Sequence, residues 1–437
     1  MSAGLVAGQP VRGEQPVRPP DGLPRLIPHG TAPDPRPAAH LARLGPLPAV
    51  HSGRAAAALI AEVERSGLTG RGGAAFPLHR KLAAVAAGRA GVAVGNGAEG
   101  EPASSKDATL LWLAPHLVLD GLQLAARATG AARSVLVIPR DPELTSHLSR
   151  ALGYREHLVE LIGAPDRFLA GEESALVAVV SGEPARPRFK RPPVYQRGIG
   201  GRPTLVSNVE TLAHLALIAR FGAAWFRAEG TAAEPGTMLV TVQRADGGRH
   251  VTEAALGTPL PALLGALAAG PQGGVQAVLC GGYHGAWLPA GQAAGLTLDN
   301  AALRPAGAFA GAGVLAELPA SHCGLAETAR VARYLALESA GQCGPCFNGL
   351  PRIAAALADL AIARPAPRQL ADVQRWAGLA DGRGACHHPD GFTRFVRSAL
   401  HVFGPELARH ARGLCHATSA RPFLPVPAGA ASDADWS

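Results

Sequence analysis

The chain has 437 residues, of which 47% are hydrophobic and 17% are charged, so it is long enough for about two to four domains with apolar cores. Its net charge of +8 would permit binding to nucleic acid, but aromatic residues make up only 5% and no block of about five or six like charges is present, so we predict a diffuse basic surface and no nucleic-acid partner. No apolar run is long enough to span a membrane, and the first residues lack the apolar core of a signal peptide. We therefore predict a cytoplasmic protein without direct membrane insertion.

Composition and periodicity divide the chain into five segments. Residues 1–45 and 421–437 are rich in Pro, Gly and Ala and lack periodicity, so we predict an irregular N-terminal arm and a disordered tail. Residues 46–235 alternate helical and strand-like patterns, as an α/β layer fold does. Residues 236–323 contain β-rich pieces around one helix and predict a small α+β module. Residues 324–420 read as consecutive helices and predict a helical bundle.

Within these segments we predict individual elements from periodicity and capping. The predicted helices are 55–64, 116–126, one beginning after Asp141, then 260–269, 325–338, 350–362, 368–379 and 391–411. The predicted strands are 92–94, 135–138, 238–243 and 277–282.

Basic residues carry a further signal, because only three of the 41 Lys and Arg residues are lysines, namely Lys81, Lys106 and Lys190. Arginine thus serves almost every ordinary surface position. We expect a remaining lysine where a compact ammonium is required and a planar guanidinium does not fit.

A glycine-rich segment, 66–77, is the densest local motif and is followed closely by Lys81. Its glycines would let backbone amides approach a ligand, and Arg71 and Lys81 would add positive charge for phosphates. The segment lacks the G-x-G-x-x-G spacing of an ordinary dinucleotide fold, and an ordinary surface turn is the alternative.

Polar clusters follow at three further places. Asn96, Glu99 and Glu101 come after a predicted strand, where open α/β sheets bind ligands. The segment 171–174, Gly-Glu-Glu-Ser, and the segment 203–211 with Asn208 and Thr211 are equally compatible with helix starts and capping residues.

Cysteine spacing indicates a metal or cluster site. Cys343 and Cys346 form a Cys-x-x-Cys pair, and Cys386 lies beside His387 and His388. Six cysteines in so long a chain fit a metal or redox site better than a disulfide framework, and both zinc and an iron–sulfur cluster are compatible with this spacing. The other three cysteines are isolated and are expected to be ordinary thiols.

Taken together and in this order, these segments resemble the NADH-binding flavoprotein subunit of respiratory complex I, a family that also occurs in NAD-linked hydrogenases and formate dehydrogenases. The resemblance spans residues 40–415. It implies a Rossmann-like FMN- and NADH-binding α/β domain, a ubiquitin-like module, and a helical bundle with one 4Fe–4S cluster. It also implies a ferredoxin-like electron-transfer partner and a place peripheral to a membrane complex.

The resemblance assigns roles residue by residue. Catalytic roles fall on Glu99, Glu172 and Glu173. Cluster ligation falls on Cys343, Cys346 and Cys386. Binding of FMN and NAD(H) falls on Gly70, Arg71, Gly72, Gly73, Phe76, Lys81, Asn96, Glu99, Glu101, Gly171, Glu172, Glu173, Asn208 and Thr211.

Three positions depart from the family pattern. Ala340 stands where the family has its first cluster cysteine, so the fourth iron would need His387, His388, Ser339 or water, or the site would hold a three-iron cluster, zinc or nothing. Ala98 replaces a usual aspartate, and Ala84 lies where a second adenine-stacking aromatic is expected, for which Tyr195 is a substitute.

Two hypotheses follow. The first is a flavin-dependent NADH oxidoreductase subunit that passes single electrons through an iron–sulfur cluster to a partner protein. The second is a non-catalytic scaffold or electron-relay subunit of the same fold, with decayed nucleotide or cluster binding.

Overall fold

The computed structural model describes residues 22–28, 32–155, 157–189, 192–270, 274–362, 368–427 and 433–436. The first part of the chain alternates helices and strands, as its sequence pattern predicts. Its elements are α1 (Pro37–Leu44), α2 (Gly53–Ser66), α3 (Leu78–Ala86), β1 (Val92–Asn96), α4 (Lys106–Leu113), α5 (Pro115–Thr129), β2 (Arg133–Pro139), α6 (Pro142–Leu152), β3 (Glu160–Ala164), α7 (Glu173–Val180), β4 (Thr204–Asn208) and α8 (Val209–Arg227).

The four strands form one parallel sheet in the order β3-β2-β1-β4. Hydrophobic cores cover both faces, because alternate strand residues point to opposite sides. Val92 and Val94 belong to one core and Ala93 to the other. Such two-sided burial is typical of parallel sheets in α/β proteins and confirms the predicted α/β class.

Strand order positions a crevice beside β1. The chain runs outward from β1 through β2 to β3, and then returns to form β4 on the other side of β1. At such a reversal the loops leave the sheet in opposite directions and open a crevice at the carboxyl ends of the two strands. Asn96 and Asn208, the last residues of β1 and β4, are register partners at this edge.

The next part of the chain forms a mixed five-stranded sheet in the order β6-β5-β9-β7-β8. The β5–β9 pair is parallel and the other pairs are antiparallel. The predicted helix 260–269 is two short helices, because Leu264 adopts an extended backbone between them. The elements are β5 (Thr237–Gln243), β6 (Arg249–Ala255), α9 (Leu260–Leu263), α10 (Gly265–Ala268), β7 (Val275–Cys280), β8 (Ala286–Pro289), α11 (Ala290–Ala293), α12 (Asn300–Leu303) and β9 (Val314–Pro319).

Helices make up the last part, as predicted. The predicted continuous helix 391–411 is two helices that meet at Phe403, before the Gly404-Pro405 pair. Proline cannot donate to the preceding turn, and its ring crowds the residue before it, so the helix breaks there. The helices are α13 (Gly324–Leu337), α14 (Leu350–Ala361), α15 (Gln369–Ala380), α16 (His388–Val402) and α17 (Gly404–His410).

Both terminal segments contain ordered parts that their composition does not predict. Helix α1 lies within the arm expected to be irregular. Within the tail predicted to be disordered, the described residues Leu424 and Trp436 are 1% and 3% exposed. The Leu424 amide donates to Glu327, and the Ala185 amide donates to the Trp436 carbonyl at 2.7 Å. Buried apolar side chains thus hold in place a segment whose Pro and Gly content predicted disorder.

Among the described helices, none is by itself long and apolar enough to cross a membrane. Helices α4 and α5 meet the length and composition criteria only as a pair, and the pair is bent by 97°.

Candidate functional site

A cavity of about 730 Å³ lies at the carboxyl ends of β1 and β4, and a smaller one of about 250 Å³ adjoins it. Both are lined by the glycine-rich segment, by the ends of the two strands and by the start of α7. Their shared lining includes Gly72, Asn96, Gly171, Glu172 and Asn208. The structure thus brings together residues from four separate sequence motifs.

The glycine-rich segment is pinned at its base and projects between the cavities. The Gly70 amide donates to Phe76 O at 2.9 Å, and the Leu78 amide donates to Leu68 O. At the tip, Gly73 has a φ of +97°, which favours glycine. A Cβ on Gly72 would lie 3.3 Å from Asn208 Cβ, so a glycine here lets the segment approach the end of β4 closely.

Arg71 differs from its sequence-based prediction. Its guanidinium is buried and donates to the backbone carbonyls of Thr237, Thr69 and Pro235. It lines neither of the two cavities. The Arg71 side chain therefore joins the segment to the start of β5, while its backbone amide donates to Thr211 Oγ1 at 2.8 Å.

Lys81 lines the smaller cavity together with Gly70, Phe76, Glu173 and Thr211. Its Nζ lies 2.8 Å from Glu173 Oε1 and donates to the Val206 carbonyl at 3.2 Å. The ammonium therefore joins α3 to the start of α7 at the cavity wall.

Asn96 and Asn208 fasten the two strand ends to neighbouring loops. Asn96 Nδ2 donates to Gly171 O at 2.9 Å. Asn208 Nδ2 donates to Asp107 Oδ2 at 2.7 Å, and its Oδ1 accepts from the Glu210 amide and so caps α8. The hydrogen bonds of both side chains thus hold the cavity wall in place.

Lys106 is the centre of a buried cluster of charges. Its Nζ lies 2.6 Å from Asp107 Oδ1 and 2.9 Å from Glu210 Oε2. Burial by itself would raise the pKa of Glu210, but Lys106, His214 and Arg71 hold it down at about 2. Burial raises the pKa of Asp107 to about 7 against the pull of Lys106, with Glu99 and Glu210 adding repulsion.

The three glutamates predicted to be catalytic have distinct surroundings. Glu99 accepts from the amides of Asp107 and Ala108 at the start of α4. Glu172 accepts from the first amides of α7 and is its N-cap, while the Glu173 carboxylate pairs with Lys81. Carboxylates at helix N-termini are stabilised by the unpaired amides and the helix dipole, so these groups hold helix starts around the cavity.

Glu101 connects the crevice to the five-stranded sheet region. Its Oε2 accepts from the Tyr283 amide at 2.7 Å and its Oε1 from the Ala103 amide at 3.2 Å. A Cβ on Gly282 would lie 2.5 Å from Oε2, so the glycine is needed for this contact. Burial raises the pKa of Glu101 to about 7.

The predicted cluster ligands converge beside the larger cavity. Cys343, Ser339 and Cys386 all lie close enough to the Cys346 thiol to shift its pKa. Burial raises the pKa of the Cys346 thiol to about 12. Cys386 also lines the larger cavity, so the thiol site and the crevice share a wall.

The surroundings of His387 and His388, the two histidines predicted as substitutes for the missing thiol, do not favour cluster ligation. His388 donates through Nε2 to Leu335 O at 2.8 Å and accepts at Nδ1 from His284 Nε2 at 2.9 Å, so both nitrogens are committed. His387 is 82% exposed and lies 3.0 Å from Asp390. Ser339 is the substitute that lies among the thiols.

Sequence reasoning missed several residues of the larger cavity. Phe168, Gly281, His284 and Arg394 line it from three distant stretches of chain. The Gly281-Gly282 pair at the end of β7, with φ of +90° and +84°, could have been found from the sequence as two glycines that follow a predicted strand. Phe168, which packs edge-on against His284, has no such sequence signal.

Family models match both ends of this site. The model described as the Nuo51 FMN-binding domain matches residues 63–217, and the model described as the NADH-ubiquinone oxidoreductase-F iron-sulfur binding region matches residues 321–410. The NADH-quinone oxidoreductase F subunit 2 of Rhizobium meliloti (strain 1021) is 30% identical over 370 residues, covering 80% of this chain and 87% of the relative. The chain belongs to the family of NADH-quinone oxidoreductase F subunits.

Other similarities agree with this membership. The NADH-quinone oxidoreductase F subunit of Rickettsia rickettsii (strain Sheila Smith) is 31% identical over 312 residues, covering 67% of this chain and 74% of that one. An NAD+-reducing NiFe hydrogenase in the H2-reduced state matches with a TM-score of 0.74 and 30% identity over 83% of this chain. The chain spans 63% of the length of that hydrogenase chain.

Proposed function

We propose that this chain takes hydride from NADH to FMN and passes electrons singly through an iron–sulfur cluster to a partner protein. Family membership supports the reaction class. The observation that carries it here is that Cys386 and the glycine-rich segment line one and the same cavity. A cofactor in the crevice would therefore lie beside the thiols that bind the electron acceptor.

The crevice fits FMN and a nicotinamide nucleotide. The two cavities adjoin, and two of the residues that line both, Gly72 and Gly171, have no side chain to fill the space. Lys81 and Lys106 lie at the two walls, each paired with a carboxylate. Bound FMN would accept the two electrons of a hydride together and release them one at a time, which an iron–sulfur cluster requires.

The chain's own residues orient the bound cofactors and do not themselves react. Glu99 and Glu172 hold the starts of α4 and α7 in place, and Asn96 and Asn208 hold the strand ends. Glu173 and Lys81 close the smaller cavity, where Phe76 offers a 40% exposed ring as a face for adenine. Glu101, whose pKa is about 7, can hold a proton near the nucleotide at neutral pH.

For the cluster we propose Cys343, Cys346 and Cys386 as thiolate ligands, with Ser339 as the fourth donor. Ser339 is favoured because it lies close enough to Cys346 to lower the pKa of that thiol, whereas the nitrogens of His388 are committed elsewhere. An oxygen ligand in place of a thiolate would change the cluster's potential.

We further propose the domain boundaries 46–235, 236–323 and 324–420. The parallel sheet supports a Rossmann-like first domain. The strand order β6-β5-β9-β7-β8 supports a ubiquitin-like second domain, since its first and last strands pair in parallel at the centre. The helices α13–α17 around the thiols support an iron–sulfur bundle.

A ferredoxin-like electron-transfer subunit is the proposed partner, and the cytoplasm the proposed location. Phe347, beside Cys346, is 73% exposed. A single exposed apolar side chain is ordinary at a protein surface, so membership of the family, and not this residue, supports the proposed partner.

The test is anaerobic purification followed by titration with NADH. We expect a flavin spectrum that bleaches on addition of NADH, and iron and sulfide in the wild type that fall in Cys343→Ser. A colourless protein that cannot be reconstituted with FMN would overturn the proposal.

A non-catalytic scaffold remains the second candidate because Ala340 removes a cluster thiol. Measuring FMN affinity separates the two. Tight stoichiometric FMN binding counts against the scaffold, and its absence counts for it.

A further inference from the structure

Four metal-ligating side chains outside the proposed cofactor sites meet in the helical region. Cys323, Glu406, His410 and Cys415 place one donor atom each within 4.8 Å of all the others. The first three residues are buried and Cys415 is exposed. None of the four belongs to the proposed cluster-ligand set.

Local structure explains how these donors come together. Glu406 and His410 are four residues apart on α17 and therefore share one face of the helix. Cys323 is the residue before α13, with its Sγ accepting from the Ala326 amide at 3.2 Å. Cys415 follows the turn that ends α17. The Thr418 and Ser419 amides donate to Ser321 O and hold this returning segment against the start of α13.

His410 is oriented as a metal ligand. Its Nδ1 lies 2.9 Å from the Leu360 carbonyl, so Nδ1 carries the hydrogen and the Nε2 lone pair faces the other donors. A second hydrogen bond of this kind usually fixes the tautomer of a ligating histidine. Nε2 lies 3.8 Å from Cys323 Sγ and 3.7 Å from Glu406 Oε1.

These separations fit donors around a shared ion. A tetrahedron with bonds of about 2.2 Å has edges of about 3.6 Å. Glu406 Oε1 is buried and has no hydrogen-bond partner among the described residues. His416 Nδ1, buried 3.6 Å from Oε1, has none there either. A buried carboxylate oxygen without a partner is costly, and a cation would satisfy it.

We propose that Cys323, Glu406, His410 and Cys415 bind one structural Zn²⁺ ion. Two thiolates, an imidazole and a carboxylate form a mixed soft set that suits zinc, whereas calcium and magnesium prefer oxygen donors. Four protein ligands complete a tetrahedron and leave no position for water or substrate, so the site is structural. It fastens the chain after α17 to the start of α13.

Zinc content tests this site apart from the cluster. The background is Cys343→Ser/Cys346→Ser/Cys386→Ser, which removes the other thiol site, and the protein is purified under nitrogen. We expect about one zinc per chain, and Co²⁺ substitution giving the visible absorption of a tetrahedral thiolate site. Cys415→Ser and His410→Ala should each lower zinc occupancy at low micromolar zinc by at least about tenfold, while Cys280→Ser serves as a thiol control and retains it.

Cys415 is exposed, so Cys415→Ser tests ligation without disturbing a packed core. If the triple background fails to fold, the same comparison in the wild type should show the loss of about one zinc equivalent in Cys415→Ser. The proposal is overturned by zinc below about a tenth of an equivalent with all four donors intact, by unchanged zinc in both ligand variants, or by a Cys323–Cys415 disulfide in the anaerobic protein.

Discussion

Two of the three lysines hold carboxylates at the walls of the site, as the scarcity of lysine suggests. Lys106 lies between Asp107 and Glu210, and Lys81 pairs with Glu173. A compact ammonium with three donors can contact several groups at once, whereas a planar guanidinium needs more space. Lys190 lies outside the described residues. At the scale of single residues, the charge of the site therefore depends on which buried carboxylates pair with a lysine and which carry a proton.

Glu101→Gln tests the protonation of that carboxyl. The folded pKa of Glu101, about 7, lies above an ordinary value near 4.3. The protonated form therefore favours the fold, and stability is lost as pH rises from about 4 through about 7. We expect the free energy of unfolding of Glu101→Gln, relative to wild type, to rise by about 2–3 kcal/mol between about pH 5 and pH 8.

Denaturant unfolding of the nucleotide-free protein at a series of pH values measures this difference. A constant offset between the two proteins across the series would contradict the assigned pKa of Glu101. Glu143→Gln, on the exposed start of α6, is the matched control and should show no such pH trend.

Ser339→Ala and Ala340→Cys test the fourth cluster position. If Ser339 supplies the fourth donor, Ser339→Ala should lower the iron content from about four to about three per chain. Adding Ala340→Cys to it should restore the iron, because a thiol returns beside the site. Anaerobic iron analysis and electron paramagnetic resonance measure both effects.

His387→Ala is the control for the fourth position, since this side chain is exposed. Loss of iron in His387→Ala, with full iron in Ser339→Ala, would show that the histidine is the ligand instead.

At the scale of elements, the crevice depends on loops that touch backbone to backbone. A Cβ on Gly171 would lie 2.4 Å from Ala98 O, and one on Gly100 would lie 2.5 Å from Phe168 O. The loop after β1 and the loop before α7 therefore pack without intervening side chains. The ends of β1 and β4 and the starts of α4, α7 and α8 then converge on one point.

Gly171→Ala tests this close approach. The methyl group must displace the Ala98 carbonyl, so we expect FMN affinity to fall at least about tenfold and stability to fall by about 1–3 kcal/mol. Fluorescence titration with FMN and denaturant unfolding measure the two effects. Gly265→Ala is the matched control, because nothing lies within 4 Å of its added Cβ; an equal loss of FMN affinity there, or none at Gly171, would contradict the argument.

At the scale of the whole molecule, all three regions contribute to the larger cavity. Glu338, at the end of α13, accepts from Arg167 Nε at 2.9 Å and from the Phe168 amide at 2.8 Å. The Trp436 ring stacks on the Arg167 guanidinium, whose Cζ lies 4.1 Å from the ring centroid. The chain's last residues thus support the loop that carries Phe168 into the cavity.

Trp436→Ala should lower the free energy of unfolding by about 3 kcal/mol, because it removes a buried ring and its cation–π contact. Denaturant unfolding measures this loss. Phe189→Ala is the matched control, since that ring is 70% exposed, and it should change stability by less than about 0.5 kcal/mol. Equal effects in the two variants would show that the end of the chain does not support the body.

Sequence pattern predicts only part of the buried framework, since α8, β4 and β9 are largely buried and are absent from the predicted elements. Strands β1 and β2 and helix α5 are apolar and deeply buried, and their predictions are confirmed within a few residues. Strand β3 is missing from the prediction because it is an edge strand with mixed exposure and no alternation. Helices α16 and α17 are predicted as one because the apolar periodicity continues across the proline that separates them.

By itself the sequence determined the α/β class, the family and the short motifs that meet at the crevice, because periodicity, glycine positions and cysteine spacing are local properties. Tertiary structure decided which atoms face which. It turned the Arg71 guanidinium onto backbone carbonyls, engaged both nitrogens of His388, and brought Cys323 to Glu406, His410 and Cys415. Such contacts join residues far apart in the chain, and their geometry depends on packing that no local pattern encodes.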